Sequence, residues 1–251
     1  MSSLPAALRA PAKLTLNLRV TGVREDGYHL IDSEMVTIDL ADTLELSAGD
    51  GIEVVAGTAA AAPSVGSVPA GAANLVARAL DLAGRRARVR LVKRIPSGGG
   101  LGGGSADAAS VLRWARWATD EEGLAAACAL GADVPFCLVG GRARVTGVGE
   151  RVEPLPWPEV EDRTFTLLVP PLVVPTAEVY REWDALGGPT GTGANDLEPA
   201  ALAVAPELAR WRDRLGDATG CLPVLAGSGS TWFVPGEFPG PGRLVVRASK
   251  P

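Results

Sequence analysis

Pro96-Ser97-Gly98-Gly99-Gly100-Leu101-Gly102-Gly103-Gly104-Ser105-Ala106-Asp107-Ala108-Ala109 is the stretch on which the reading of this chain turns. Residues 98–104 hold six glycines in seven positions, and glycine loses more conformational freedom on folding than any other residue. Such a run is either a flexible linker or a loop whose backbone comes very close to a ligand. The residues that follow decide between the two. From Ser105 the sequence becomes helical, with Ala108, Val111, Leu112 and Ala115 at i, i+3, i+4 and i+7, and Ser105 is expected to be the N-cap. A glycine loop running into a helix N-terminus is an anion site, because unpaired N–H groups and the positive end of the dipole converge there. Leu101, apolar and central, has no use in a linker.

Two familiar phosphate motifs do not fit this loop. The Walker A pattern ends in Gly-Lys-Ser/Thr, and no lysine lies between Lys93 and Lys250. Gly98, Gly100 and Gly103 match G-x-G-x-x-G only because nearly every position is glycine, and the acidic residue of a second strand is missing. Another kind of phosphate loop is required.

Composition narrows the class. The 251 residues give ample chain for a core, and no apolar run approaches the about 18 residues of a membrane span. The start, Met-Ser-Ser-Leu-Pro, carries no signal-peptide pattern. Cys128, Cys137 and Cys221 are odd in number and not in metal spacing, which suits a reducing cytoplasm. A net charge of −5 argues against nucleic acid as a partner. His29 is the only histidine, and Lys13, Lys93 and Lys250 are the only lysines among 24 basic residues. A lysine retained in an arginine-rich chain is expected where a compact, mobile ammonium is needed.

Lys13–Val20 alternates, with Leu14, Leu16, Leu18 and Val20 on one face and Lys13, Thr15, Asn17 and Arg19 on the other. It predicts a half-buried strand whose polar face either is solvated or lines a cleft, the pattern alone favouring solvent. Arg24-Glu25-Asp26-Gly27 is a turn that delivers Tyr28 and His29 to the next strand, around Met35–Leu40. Short strands are expected at 44–46 and 52–55, a loop from Ala56 to Gly71, and a helix capped by Asn74 and closed by Gly84. Arg86–Val92 is a strand with a solvated arginine face. After the loop helix, with Trp114 and Trp117 in the core, 121–130 is helical, and Asp133 reads as a turn or cap residue. A strand pair spans 142–152. Three prolines between Pro154 and Pro158 mark a boundary, dividing an N-terminal lobe (1–156) from a C-terminal lobe (157–251). In the second lobe a strand is expected at 165–169, a helix capped by Thr176 and containing Tyr180, and helices from about 195 and 206. Two strands flank Gly227-Ser228-Gly229-Ser230, and 244–247 is a last strand.

Taken together, these pieces resemble the GHMP kinase superfamily. The resemblance rests on Pro11-Ala12-Lys13-Leu14, Arg24 through His29, Ile95 through Ala109, Gly131 through Phe136, Gly147-Val148-Gly149-Glu150 and Gly227-Ser228-Gly229. It implies an α+β fold of two lobes, each a sheet packed with helices, with the active site in the cleft between them. Within the superfamily, the Asp26-Gly27-Tyr28-His29 piece is similar to the branch that phosphorylates the 2-hydroxyl of methylerythritol carried on cytidine diphosphate, in isoprenoid precursor synthesis. That branch implies ATP and Mg²⁺ as cofactors. It makes Lys13 and Asp133 the catalytic pair, and Pro96, Ser97, Gly98, Gly99, Gly100, Leu101, Gly102, Gly103, Gly104, Ser105 and Ala106 the ATP loop. Tyr28, His29, Thr176 and Tyr180 bind the acceptor, with the base between the two tyrosines. Ser105 and Asp107 are the two candidates for a metal-linked role. Small-molecule partners and a monomer or weak homodimer in the cytoplasm complete the expectation.

One position departs from the branch, which has asparagine two residues after the lysine where this chain has Thr15. Thr15 is expected to keep the acceptor contact with help from Asn17 on the same strand face. Two other readings stand beside this one: a homoserine- or mevalonate-type kinase, and a nucleotide-binding sensor of the same fold that has lost turnover.

Overall fold

The computed structural model describes residues 4–57, 71–157, 164–190 and 193–249. Two long strands dominate the first half. β1 (Ala6–Val23) and β2 (His29–Ser47) pair antiparallel along most of their lengths, with register shifts at Pro11/Lys13, Thr15/Asn17 and Val20/Gly22. The segments expected at 35–40 and 44–46 are thus one strand. β2 is the spine of the first sheet. Its last residues pair with β4 (Arg88–Lys93), which carries β3 (Ile52–Ala56) in parallel on its far side. Its first residues pair with β5 (Arg142–Gly147), which carries β6 (Arg151–Pro154). Of the expected loop 56–71, residues 58–70 lie outside the described residues, and so does Pro158 of the expected boundary.

Helices α1 (Leu75–Leu82), α2 (Gly103–Trp114), α3 (Glu121–Cys128) and α4 (Val134–Val139) belong to this half. Asn74 caps α1 as expected, its Oδ1 accepting from the Val76 N–H at 2.9 Å. The N-cap of α2 lies three residues earlier than the expected Ser105. Gly102, in the left-handed conformation, is the N-cap and makes no side-chain cap bond; the glycines at 103 and 104 accept helical geometry once that turn is made. Leu101 is 1% exposed and, with Leu14, Ile38, Leu44, Leu91, Leu112 and Phe136, belongs to the fully buried core. Burial of a leucine side chain is worth roughly 1.5–3 kcal/mol, so Leu101 nails the middle of a glycine loop to the core.

The second half is a four-stranded antiparallel sheet in the order β10 (Arg243–Arg247), β7 (Thr164–Leu168), β9 (Trp232–Pro235), β8 (Val224–Leu225). Around it lie α5 (Thr176–Ala185), α6 (Glu198–Val204) and α7 (Leu208–Thr219). The halves are stitched across their seam. Leu18 bridges to Asn195 and Ile38 to Ala248, the buried Asp196 accepts from the Val20 N–H at 3.0 Å and pairs with Arg19 at 2.7 Å, and the Ser249 N–H donates to Thr37 O at 2.8 Å.

Candidate active site

Lys13 lies where β1 changes register, beside the glycine loop. Its backbone N–H donates to Leu101 O at 3.1 Å, tying strand to loop. Gly102 has φ of +68°, and a Cβ there would stand 2.8 Å from Lys13 Cγ. Only glycine lets the lysine stem pass so close. The Lys13 ammonium then donates to Thr15 Oγ1 at 3.0 Å and lies 3.3 Å from Asp133 Oδ2. Asp133 is at the N-cap position of α4, but its carboxylate makes no cap bond, which leaves it for the lysine. The expected solvated face of β1 is corrected here: Lys13 is 4% and Thr15 1% exposed, because the loop and the 227–230 turn cover them.

That turn forms the opposing surface. A Cβ on Gly100 would collide with Ala226 O and come within 2.7 Å of Gly229 O, and the Thr231 N–H donates to Gly99 O at 3.2 Å. Two glycine segments, one from each lobe, thus pack backbone on backbone. Asn195 fixes the turn by donating Nδ2 to Leu225 O at 2.8 Å and Gly227 O at 2.7 Å.

Two cavities meet at Gly100. One, of about 280 Å³, is lined by residues 96–104 with Asn74, Leu75, Lys93 and Asp107. The other, of about 610 Å³, is lined by Lys13, Thr15, Tyr28, His29, Ser105, Asp133, Thr176 and Tyr180 among others. The expected catalytic pair and the expected acceptor residues therefore share one cleft, with the glycine loop on its border. Ala106 lines neither cavity; it is fully buried in α2.

The far wall of the larger cleft is aromatic. The His29 ring lies 4.6 Å from Tyr180 at 31° and 5.6 Å from Trp183 at 85°, and its Nε2 is 2.9 Å from Asp184 Oδ1. Trp183 is itself held by donation from Nε1 to Pro189 O at 3.0 Å. Tyr28 is 62% exposed, with the Arg24 guanidinium 5.5 Å over its ring, so one of its faces already has a cation against it. Burial, and after it the charge of Asp133, holds the Tyr180 phenol above its ordinary pKa, so it is a neutral hydroxyl.

Two expectations change. Thr176 is the first residue of α5 and not its cap, which is Pro175; its hydroxyl bonds Ser228 Oγ at 2.9 Å, joining helix to glycine turn. Asn17 does not face the cleft with Thr15. The register shift between them breaks the alternation, and Asn17 Oδ1 accepts from the Glu34 N–H at 3.0 Å.

Sequence reasoning also missed a buried cluster under the loop. Lys93 Nζ bonds Asp42 and, at 2.7 Å, Asp107 Oδ2. Asp42, fully buried, also accepts from the N–H groups of Arg94 and Ile95. The strand entering the loop and the helix leaving it are thereby tied together. Burial, ahead of the opposing charge of Lys93 and with that of Asp42 added, pushes the Asp107 carboxyl up to about 7. Burial would lower Lys93, but Asp107 and Asp42 outweigh it and its pKa is raised. The scarcity of lysine was the available signal; nothing in the local sequence pairs Asp42 with it. Among the described residues no group of three or more His, Cys, Asp or Glu could hold a metal ion. Asp107 is committed to Lys93, with Oδ1 buried and unpartnered, whereas Ser105 faces the cleft.

Residues 67–141 match the family described as GHMP kinases N terminal domain. The chain is 40% identical over 246 residues to the 4-diphosphocytidyl-2-C-methyl-D-erythritol kinase of Cereibacter sphaeroides, covering 89% of this chain and 87% of that one. It is 37% identical to the enzyme of the same name from Ruegeria pomeroyi, covering 96% and 91%. A crystal structure of 4-(cytidine 5'-diphospho)-2C-methyl-D-erythritol kinase superposes with a TM-score of 0.71 at 33% identity, over 97% of this chain and all of the other. The mevalonate kinase of Methanococcus jannaschii shares the fold, with a TM-score of 0.56 at 11% identity.

Proposed function

Because the chain belongs to the 4-diphosphocytidyl-2-C-methyl-D-erythritol kinases of the GHMP kinase family, we propose that its cleft carries out the reaction for which those relatives are named. ATP phosphorylates the 2-hydroxyl of the methylerythritol moiety, with the cytidine end of the acceptor in the aromatic corner. The observation that carries this reading is the Lys13–Asp133 pair, 3.3 Å apart, in a cleft with the glycine loop on one side and His29 and Tyr180 on the other. The enzyme works in the cytoplasm as a monomer or weak homodimer.

ATP lies along the loop, whose N–H groups at the start of α2 cradle its phosphates. The acceptor hydroxyl attacks the γ-phosphorus, the bond to the β–γ bridging oxygen breaks, and ADP leaves. Asp133 accepts a hydrogen bond from the hydroxyl, orients it and takes its proton as the new P–O bond forms. Orientation matters at least as much as basicity, because the transition state of phosphoryl transfer is loose. Lys13, held by Thr15 and Asp133, places a positive charge on the transferring group. Ser105, which lines the cleft, would be the protein contact for a Mg²⁺ brought in with ATP, since magnesium at such sites keeps water and substrate ligands and needs no protein cage; the ion would supply neutralisation of phosphate charge.

The two tyrosines stack the pyrimidine and His29 reads its polar edge. Homoserine and mevalonate have no base to stack, which sets them behind the cytidine acceptor. A coupled assay of ADP release with the three acceptors tests this. Turnover should require the cytidine compound, and Lys13→Ala and Asp133→Asn should each lower kcat at least about 10²-fold. Faster turnover of homoserine or mevalonate overturns the acceptor; near-native turnover by Asp133→Asn removes the aspartate from the chemistry.

A further inference from the structure

His29 makes one side-chain hydrogen bond among the described residues, and its partner comes from the other lobe, 155 positions along the chain. Asp184 belongs to α5, on the same helical face as Tyr180 and Trp183, at i, i+3 and i+4. The helix therefore holds the imidazole in three ways: a ring beneath it, an indole at its edge, and a carboxylate on Nε2. The imidazole is nearly buried, its side chain 10% exposed. No partner engages Nδ1 among the described residues, and His29 lines the acceptor cleft.

We propose that Asp184 is a specificity-determining positioning residue, which fixes the tautomer of His29 so that the cleft accepts an aminopyrimidine and rejects an oxopyrimidine. A neutral imidazole has one N–H donor and one lone-pair acceptor. An ionised carboxylate only accepts, so Asp184 draws the hydrogen onto Nε2 and leaves Nδ1 as the acceptor. The 4-position of cytosine is an amino group, a donor, and it meets that lone pair. The same position in uracil is a carbonyl, an acceptor, and two lone pairs would face each other at the nearly buried imidazole. Sites that bury a committed hydrogen-bonding group discriminate strongly in this way. The inference rests on the acceptor reading above, in which His29 faces the base.

Because His29 is the only histidine, its ring nitrogens can be read without ambiguity in the tag-free protein. With 15N-labelled histidine at neutral pH, the wild-type spectrum should show the tautomer protonated on Nε2, and Asp184→Ala should shift it toward a mixture. A wild-type ring protonated on Nδ1 alone, or on both nitrogens, overturns the proposal. Kinetically, the ratio of kcat/KM for the cytidine acceptor to that for its uridine counterpart should fall at least about tenfold in Asp184→Ala. The change should lie in acceptor KM more than in kcat, and Asp184→Glu should restore it in part. An unchanged ratio in a folded Asp184→Ala protein overturns the tautomer role while leaving the kinase reading intact. Failure of the wild type to phosphorylate either pyrimidine acceptor strikes the kinase reading, and the spectrum still decides the tautomer.

Discussion

Gly102→Ala tests whether the loop holds the lysine in place or merely lies near it. The change is one methyl group. At φ of +68° an L-residue pays roughly 1–2 kcal/mol in backbone strain, which sets the expected loss of stability. The new Cβ would also stand 2.8 Å from Lys13 Cγ and 3.2 Å from Cε. Reaching an ordinary contact requires the stem to yield by about 0.6 Å, since closer approach meets steep repulsion. Lys13 has little slack, being 4% exposed and held at Thr15 and Asp133. Displacement of a reacting group by 1 Å can cost about 10²-fold, so kcat should fall about 10- to 100-fold. Urea unfolding and steady-state ADP release, run on the same preparation, separate the two effects. A variant that loses the expected stability but keeps kcat within about twofold of wild type refutes the idea that Gly102 positions the lysine.

Thr15→Val keeps the shape of the strand and removes the acceptor for the Lys13 ammonium; kcat should drop about tenfold, the scale of a lost hydrogen bond to a charged group, with acceptor KM little changed. A rise confined to acceptor KM would instead make Thr15 a direct substrate contact. Tyr180→Ala should raise the KM of the cytidine acceptor about tenfold or more, given roughly 1–3 kcal/mol for stacking a base on an aromatic ring, and equal weakening of ATP would show that Tyr180 is only structural. Asp107→Asn addresses pH. The carboxyl is raised to about 7 in the folded protein, against about 3.9 when unfolded, so the native state holds a proton that the unfolded chain releases and stability falls as pH rises through that interval. The Tm of Asp107→Asn relative to wild type should therefore climb between about pH 4 and pH 7 and level off above; parallel curves would contradict it.

The local pattern carried most of the elements, because β1 alternates, Asn74 caps and Gly84 terminates in ways that short-range physics dictates. The glycine stretch was legible as an anion site for the same reason. What the sequence hid was made by long-range pairing. The bulge that turns Asn17 away from Thr15 is an extra residue in β1, visible only in its pairing with β2, and the alternation on β1 alone gives no sign of it. Asp42 meets Lys93 across 51 residues and Asp184 meets His29 across 155, and neither partner lies in a motif. The bond from the Lys13 ammonium to Thr15 Oγ1, two residues along the same strand face, is likewise one that the alternation permits but does not announce.

The stitching between lobes bears on how the molecule comes apart. Residues 247–249 dock on β2, through the Arg247 N–H to Asp39 at 2.9 Å and the Ser249 N–H to Thr37, while the 194–196 segment docks on β1. The first sheet is therefore incomplete without segments supplied from the far end of the sequence. Residues 1–156 expressed alone should be a poorly soluble fragment, not an autonomous module, and heating the whole chain should give one calorimetric peak. Co-expression of the two fragments should restore what neither has alone, as pieces of one cooperative unit.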